Sequence, residues 1–389
     1  MRDYNKHVLK KISNGKVRKL YRCQECFTPL LLKMVFRWDS GTVALRLLNR
    51  DFRFAFLDND LLTEILNILG SHFGEDEVYE IAQQIERKTS SGYVAMLFGA
   101  EQWWLKPFSF LAKYSFLMDY VLEMNASLLG YAATNVADKN LPNAMVYIRN
   151  PYNMRLFMSD LEGVYLVIRD REVDCAVDMI SEDGSICLYY ADASTPRVPG
   201  IYNKYRLKPD PIVHTEEICK SLCCPRCGVP KQIGMLWWDP RNGMIVNRET
   251  KKRVIIWPRY TLEYLLRTLS EHFGKEATIL IANTVKRYQR ESILNEGIGF
   301  SQDEKMEFVV ADKEGQYELL LGHLACTGYG HGKVFIEGED RVRIEMTNPM
   351  IPVVTSGLLA GMVEALEDQS VNVSWEEGEK TTTYTLEWL

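Results

Sequence analysis

A chain of 389 residues, 47% of them hydrophobic, carries enough apolar material for large buried cores and is long enough for two or three domains. Its formal charge of −6, from 46 Lys and Arg against 52 Asp and Glu, argues against a nucleic-acid binder that is basic throughout. No stretch of roughly 18 uncharged apolar residues is present, so no membrane span is expected.

The start, MRDYNKHVLKKISNGKVRKLYR, is basic but lacks the apolar centre of a secretory signal. The nine cysteines are therefore expected in a reducing, cytoplasmic setting, where paired cysteines serve as metal ligands or redox groups before disulfides. The first such pair is Cys23-Gln-Glu-Cys26. LLKMVFRWD and VALRLLNR follow as strands, joined by a turn at Asp39-Ser40-Gly41. A helix is predicted next, with Leu61, Leu62, Ile65, Leu66 and Leu69 on one stripe and Gly74 just past its end. A second helix carries Val78, Ile81, Ala82 and Ile85. An aromatic stretch then includes Trp103, Trp104, Phe108, Phe110 and Tyr114. A strand (MVYIRNP), a helix (MRLFMSDLEGVYLVIRD) and a β-hairpin close this half. The four prolines between Ala193 and Pro211 mark a linker.

The same order then begins again. Cys224-Pro-Arg-Cys227 lies 201 residues after the first pair. At an offset of 200, Trp38-Asp39 falls on Trp238-Asp239 and His72-Phe73-Gly74 on His272-Phe273-Gly274. At 198, Gly130-Tyr131 falls on Gly328-Tyr329 and Asn150-Pro151 on Asn348-Pro349. So long a register points to an internal duplication. The expected domains are 1–192, a linker at 193–218, and 219–389. The expected fold class is α/β (α+β): two homologous units, each a zinc-knuckle β-hairpin, helices and an antiparallel sheet, packed as a pseudo-dimer. In the second unit GMLWWD and RVIIWP read as paired strands, and Ile279, Ala282 and Val285 as the buried face of the second helix. Gly357 and Gly361 leave a flat stripe on the last helix, which ordinarily admits a tightly packed neighbour. The final hairpin alternates, with Tyr384, Leu386 and Trp388 on one face.

Asn348-Pro349, the small-residue helix Gly357-Leu358-Leu359-Ala360-Gly361-Met362-Val363-Glu364 and the alternating hairpin after it resemble the end of the 4-vinyl-reductase, or hydrocarbon-binding, domain. The match covers about 257–389 and, more weakly, 58–192. It implies an α/β domain that tends to dimerise and encloses an apolar pocket for a hydrophobic small molecule, in proteins that are mostly not enzymes themselves. Members with zinc in the final hairpin use cysteines there; Thr385 stands at that place, so that metal site is not carried over.

One Cys-x-x-Cys is half of a tetrahedral zinc site. Cys23, Cys26, Cys224 and Cys227 could complete one shared structural centre. Alternatives are a separate site from His214, Cys219, Cys223, Cys224 and Cys227, iron–sulfur ligation by the last four of these, or a redox dithiol. His72 and His272 read as helix-end caps. His323, Cys326, Tyr329 and His331 cluster near glycines only in the second half. They are candidates for a ligand-pocket mouth, or for a nucleophile and base. Trp103 and Trp104 are candidates for lining a ligand cavity, or for a protein partner's surface, against a bland role in core packing. The leading expectation is a non-enzymatic cytoplasmic protein that binds or senses a hydrophobic small molecule, with zinc as cofactor and neither nucleic acid nor membrane span. The alternatives are an enzyme or enzyme accessory using His323, Cys326 and His331, and an interaction adaptor without ligand.

Overall fold

The structure, a computed structural model, describes residues 20–45, 52–98, 123, 126–138, 144–169, 171–192, 195–196, 207, 212–214, 223–296, 302–338 and 340–389. Trp103, Trp104, the rest of the aromatic stretch, Cys219 and most of the expected linker lie outside these residues. The chain is built of helices and antiparallel sheets, an α+β protein.

Contacts divide the chain into two compact units. One comprises 1–20, 82–208 and 238–245; the other comprises 21–81, 209–237 and 246–389. These units cut across the two halves read from the sequence.

The larger unit opens with α1 (Leu30–Val35), β1 (Phe36–Asp39), β2 (Thr42–Leu45) and β3 (Arg53–Asp58). LLKMV, expected as strand, is helical. Pro29 fixes its own φ and cannot donate to a ladder, which suits a helix start. The counterpart after Pro230 is a 3₁₀ turn, Lys231–Met235, ahead of β8 (Leu236–Asp239), β9 (Met244–Asn247) and β10 (Arg253–Pro258), of which 238–245, the tip of the β8–β9 hairpin, belongs to the smaller unit. Each half therefore supplies three strands to one sheet; RFAFLD and MIVN were not anticipated. The sheet order is β1-β2-β3-β10-β9-β8. Antiparallel β3 and β10 pair in its middle, with Phe56 opposite Ile256 and Phe54 opposite Pro258. Both are nearly continuous apolar runs because both are buried.

From β3 the chain enters α2 (Asn59–Phe73), and from β10 α5 (Arg259–Phe273). Both bury the predicted stripe, Leu62, Leu66 and Leu69 in α2 and Leu262, Leu266 and Leu269 in α5. Gly74 and Gly274 end them as expected. Phe73 and Phe273 stack at 4.5 Å. His72 pairs with Glu276 at 2.8 Å and His272 with Glu77 at 2.7 Å. The two histidines thus reach carboxylates on another helix start instead of capping their own.

In α6 (Lys275–Glu296) the buried face is Ala277, Ile281, Val285 and Tyr288; Ile279, expected inside, is 49% exposed. Then come α7 (Gln302–Val310), α8 (Lys313–Thr327), β11 (His331–Ile336), β12 (Arg341–Thr347), α9 (Pro352–Glu367), β13 (Val371–Glu377) and β14 (Thr381–Trp388), with sheet order β11-β12-β14-β13. The small-residue stripe of α9 does admit a helix. A Cβ on Gly357 would stand 2.8 Å from Ala282 O, and one on Gly361 2.3 Å from Lys286 O. Buried Glu364 ends that contact, accepting from Lys286 Nζ at 3.0 Å and from Val371 N–H at 3.2 Å.

In the smaller unit, α3 (Glu75–Phe98) continues from the boundary at 82. Then follow β4 (Ala133–Asp138), β5 (Ala144–Arg149), α4 (Met154–Arg169), β6 (Asp174–Met179) and β7 (Ile186–Asp192). Its sheet order, β4-β5-β7-β6, repeats that of β11 to β14. Ser91 Oγ donates to Gly163 O at 3.0 Å, so α3 and α4 also meet at a glycine.

The reason compactness ignores the sequence halves is visible in two tryptophans. Trp38 Nε1 donates to Cys326 O at 3.1 Å within the larger unit. Trp238 Nε1 donates to Leu128 O at 3.0 Å within the smaller. In each unit the hairpin of one half docks on the helix end of the other.

Candidate metal centre

The two Cys-x-x-Cys segments fold alike because the same backbone bonds close them. Cys23 N–H donates to Thr28 O at 2.9 Å and Phe27 N–H to Cys23 O at 3.1 Å. Cys224 N–H donates to Val229 O at 2.9 Å and Gly228 N–H to Cys224 O at 2.8 Å. Isolated bridges, Arg22 with Pro29 and Cys223 with Pro230, lock each base. The turn needs a left-handed residue, which is Gly228 (φ 74°) in one knuckle and Phe27 (φ 59°) in the other.

Both knuckles belong to the larger unit, and their thiols converge. Cys23 Sγ lies 3.9 Å from Cys224 Sγ and Cys26 Sγ 3.4 Å from Cys227 Sγ; all four sulfurs fall within 4.8 Å of one another. Tetrahedral coordination at a Zn–S length of about 2.3 Å separates sulfurs by about 3.8 Å, so the set fits one ion of that size. A two-iron cluster would hold its cysteine pairs farther apart. Cys23, Cys224 and Cys227 are buried. Burial opposes ionisation of Cys23, but N–H groups of Cys26 and Glu25 outweigh it and bring the thiol down to about 7. Burial pushes Cys224 and Cys227 up. Four thiolates would fill a tetrahedral ion and leave no open position for substrate, the hallmark of a structural centre.

Of the alternative ligands, Cys219 lies outside the described residues. His214 Nδ1 pairs with Asp39 at 2.8 Å, and Cys223 stands outside the cluster. Among the described residues, no other group of three or more His, Cys, Asp or Glu side chains is arranged to hold a metal.

The second-half residues are partly brought together. A cavity of about 100 Å³ in the larger unit is lined by His323 and Tyr329, with Phe56, Leu61, Ile233 and Leu324. Cys326 and His331 do not line it. Cys326 is buried in α8, and His331 begins β11, paired with Thr347. Burial, with Lys333 adding, lowers the His331 pKa, and burial with Asp58 nearby raises that of Tyr329. Tyr288, whose hydroxyl donates to Asp58 at 3.2 Å, also lines the cavity. Sequence reading missed Phe56, Leu61, Ile233 and Tyr288, because each arrives from a different element and no spacing links them.

Comparison with known protein families, with characterised proteins and with solved structures finds no match for this chain. Among the described residues, no helix is long and apolar enough to cross a membrane.

Proposed function

We propose that the chain is a non-enzymatic binding protein, built from two copies of a 4-vinyl-reductase-like unit and stapled by one structural Zn²⁺. The convergence of Cys23, Cys26, Cys224 and Cys227 carries this reading. Four thiolates with no other donor select a soft or borderline ion, and among available ions zinc takes tetrahedral sulfur without redox chemistry. The duplication is supported by the recurrence of knuckle, three strands, two helices and a β-β-α-β-β run in the same order. It is supported too by the reciprocal pairs His72–Glu276 and His272–Glu77, as an isologous contact requires.

The ligand proposed is a small hydrophobic molecule at the cavity beside His323 and Tyr329. Its volume is below the ~300–1,000 Å³ of drug-sized pockets, so it suits a group no larger than a single ring. The cytoplasm, where thiols stay reduced, is the compartment that agrees with free, metal-binding cysteines.

Metal analysis of protein purified without added metal tests the first part. One zinc per chain is expected, falling to none in Cys26→Ser/Cys227→Ser. Iron, or two metals per chain, would overturn it. Displacement of an apolar dye, weakened by Leu61→Trp filling the cavity, tests the second; dye binding indifferent to Leu61→Trp removes that site.

A further inference from the structure

The net charge of −6 hides an uneven distribution. Residues 21–37 contain three Lys and Arg against one acidic residue. The stretches 223–237 and 246–253 together contain six against one. The whole chain has 46 against 52, so everything else carries 37 against 50. These three stretches belong to one unit, and the four cysteines bring them side by side.

The surface there is aromatic and aliphatic as well as basic. The Arg22 guanidinium lies 3.9 Å from the centroid of the Trp237 ring. Arg248 lies 5.1 Å from the same ring and 5.6 Å from that of Phe27. Trp237 and Phe27 remain 44% and 48% exposed. Leu30 donates its N–H to Tyr21 O at 2.8 Å, which joins Tyr21 to the patch, and Met34 follows one turn later in α1. Tyr21, Leu30 and Met34 are all exposed. Phe27 adds an independent sign. It occupies the left-handed position that glycine fills in the other knuckle, a conformation side chains resist, yet its ring is half in water. Strain kept for an exposed aromatic ring serves something other than the core.

We infer that this knuckle face docks on an anionic lipid bilayer. Lys and Arg clusters are drawn to anionic headgroups, Trp and Tyr settle at headgroup depth, and exposed aliphatic tips gain by entering the acyl boundary. A single-stranded nucleic acid would use the cations equally. It would gain nothing from Leu30 and Met34, and Arg22 already covers a face of Trp237 on which a base would stack. The bilayer uses every group of the patch. Docking is peripheral, and it rests on the knuckles being folded but not on the ligand proposed above.

The test is co-sedimentation of the full zinc-loaded chain with phosphatidylcholine vesicles, with and without about one-third phosphatidylserine. Binding is expected only to the anionic vesicles, and weaker at high salt. Arg248→Glu/Lys251→Glu and, separately, Leu30→Asp/Met34→Asp should each weaken it at least about tenfold, with zinc content and melting temperature unchanged. Equal partition onto both vesicle types would overturn the inference. So would a Leu30→Asp/Met34→Asp variant that binds unchanged while a single-stranded oligonucleotide displaces the vesicles, which would identify a nucleic-acid surface.

Discussion

Removing the metal is the perturbation whose cost the structure lets one work out. An ion held by the four cysteines would tie Cys23 to Cys224, 201 residues apart. Closing a loop of that length in the unfolded chain costs about 5 kcal/mol by chain-entropy arithmetic. Unfolded knuckles that kept the ion through two thiolates each would reduce the difference, so about 5 kcal/mol is an upper figure. A unit of some 150–250 residues shifts by about 2–4 °C per kcal/mol. Chelation should then lower the melting temperature of the larger unit by about 10–20 °C. Scanning calorimetry in reducing buffer, before and after dialysis against a chelator, measures this, and zinc should restore the original trace. The smaller unit holds none of the four cysteines and should keep its transition where the two are resolved. Cys227→Ser should reproduce the chelated trace with zinc present. A chelated protein that melts unchanged, with its zinc demonstrably gone, would refute the staple.

The remaining expectations concern packing and protonation. Gly361→Ala would put a methyl 2.3 Å from Lys286 O and 2.8 Å from Gln289 Cβ, so α9 and α6 must part; a loss of at least about 1–3 kcal/mol is expected in denaturant unfolding. Glu364→Ala removes the partner of Lys286 and the acceptor of Val371 N–H; about 2–3 kcal/mol is expected, less than a fully enclosed pair because Lys286 keeps some water. Burial raises the Asp160 carboxyl from 3.8 to about 7. Its folded pKa lies above its unfolded one, so the unfolded chain alone is ionised between these values. The smaller unit should therefore lose stability as pH rises from about 4 to about 7. Asp160→Asn should flatten that slope and stabilise the unit above pH 7, read from melts across the range; an unchanged slope would assign it to another group.

Much of the frame was legible in the chain. The stripe Leu62, Leu66, Leu69 announced α2, Gly74 its end, and the offset of 200 announced a matching α5, because periodicity and helix stops are local properties. Alternation in Tyr384 and Leu386 placed the last strand for the same reason. LLKMV misled because a short apolar run has no period of its own, and Pro29 decided it. RFAFLD escaped notice because a strand buried on both faces does not alternate.

What the sequence determined by itself was which residues could bind a metal: two Cys-x-x-Cys pairs, each half a site. That the halves meet was a matter of tertiary structure, since β3 and β10 pair across some 200 residues and bring the knuckles to one place. Tertiary structure also separated His323 and Tyr329, which share a cavity, from Cys326 and His331, which do not line it. Adjacency in LGHLACTGYGHGKV suggested one cluster, but a helix end followed by a strand sends neighbouring side chains in different directions. The basic, aromatic face of the knuckles became visible only once Arg22, Phe27, Trp237 and Arg248 were seen touching. A net charge summed over the whole chain cannot register where its charges lie.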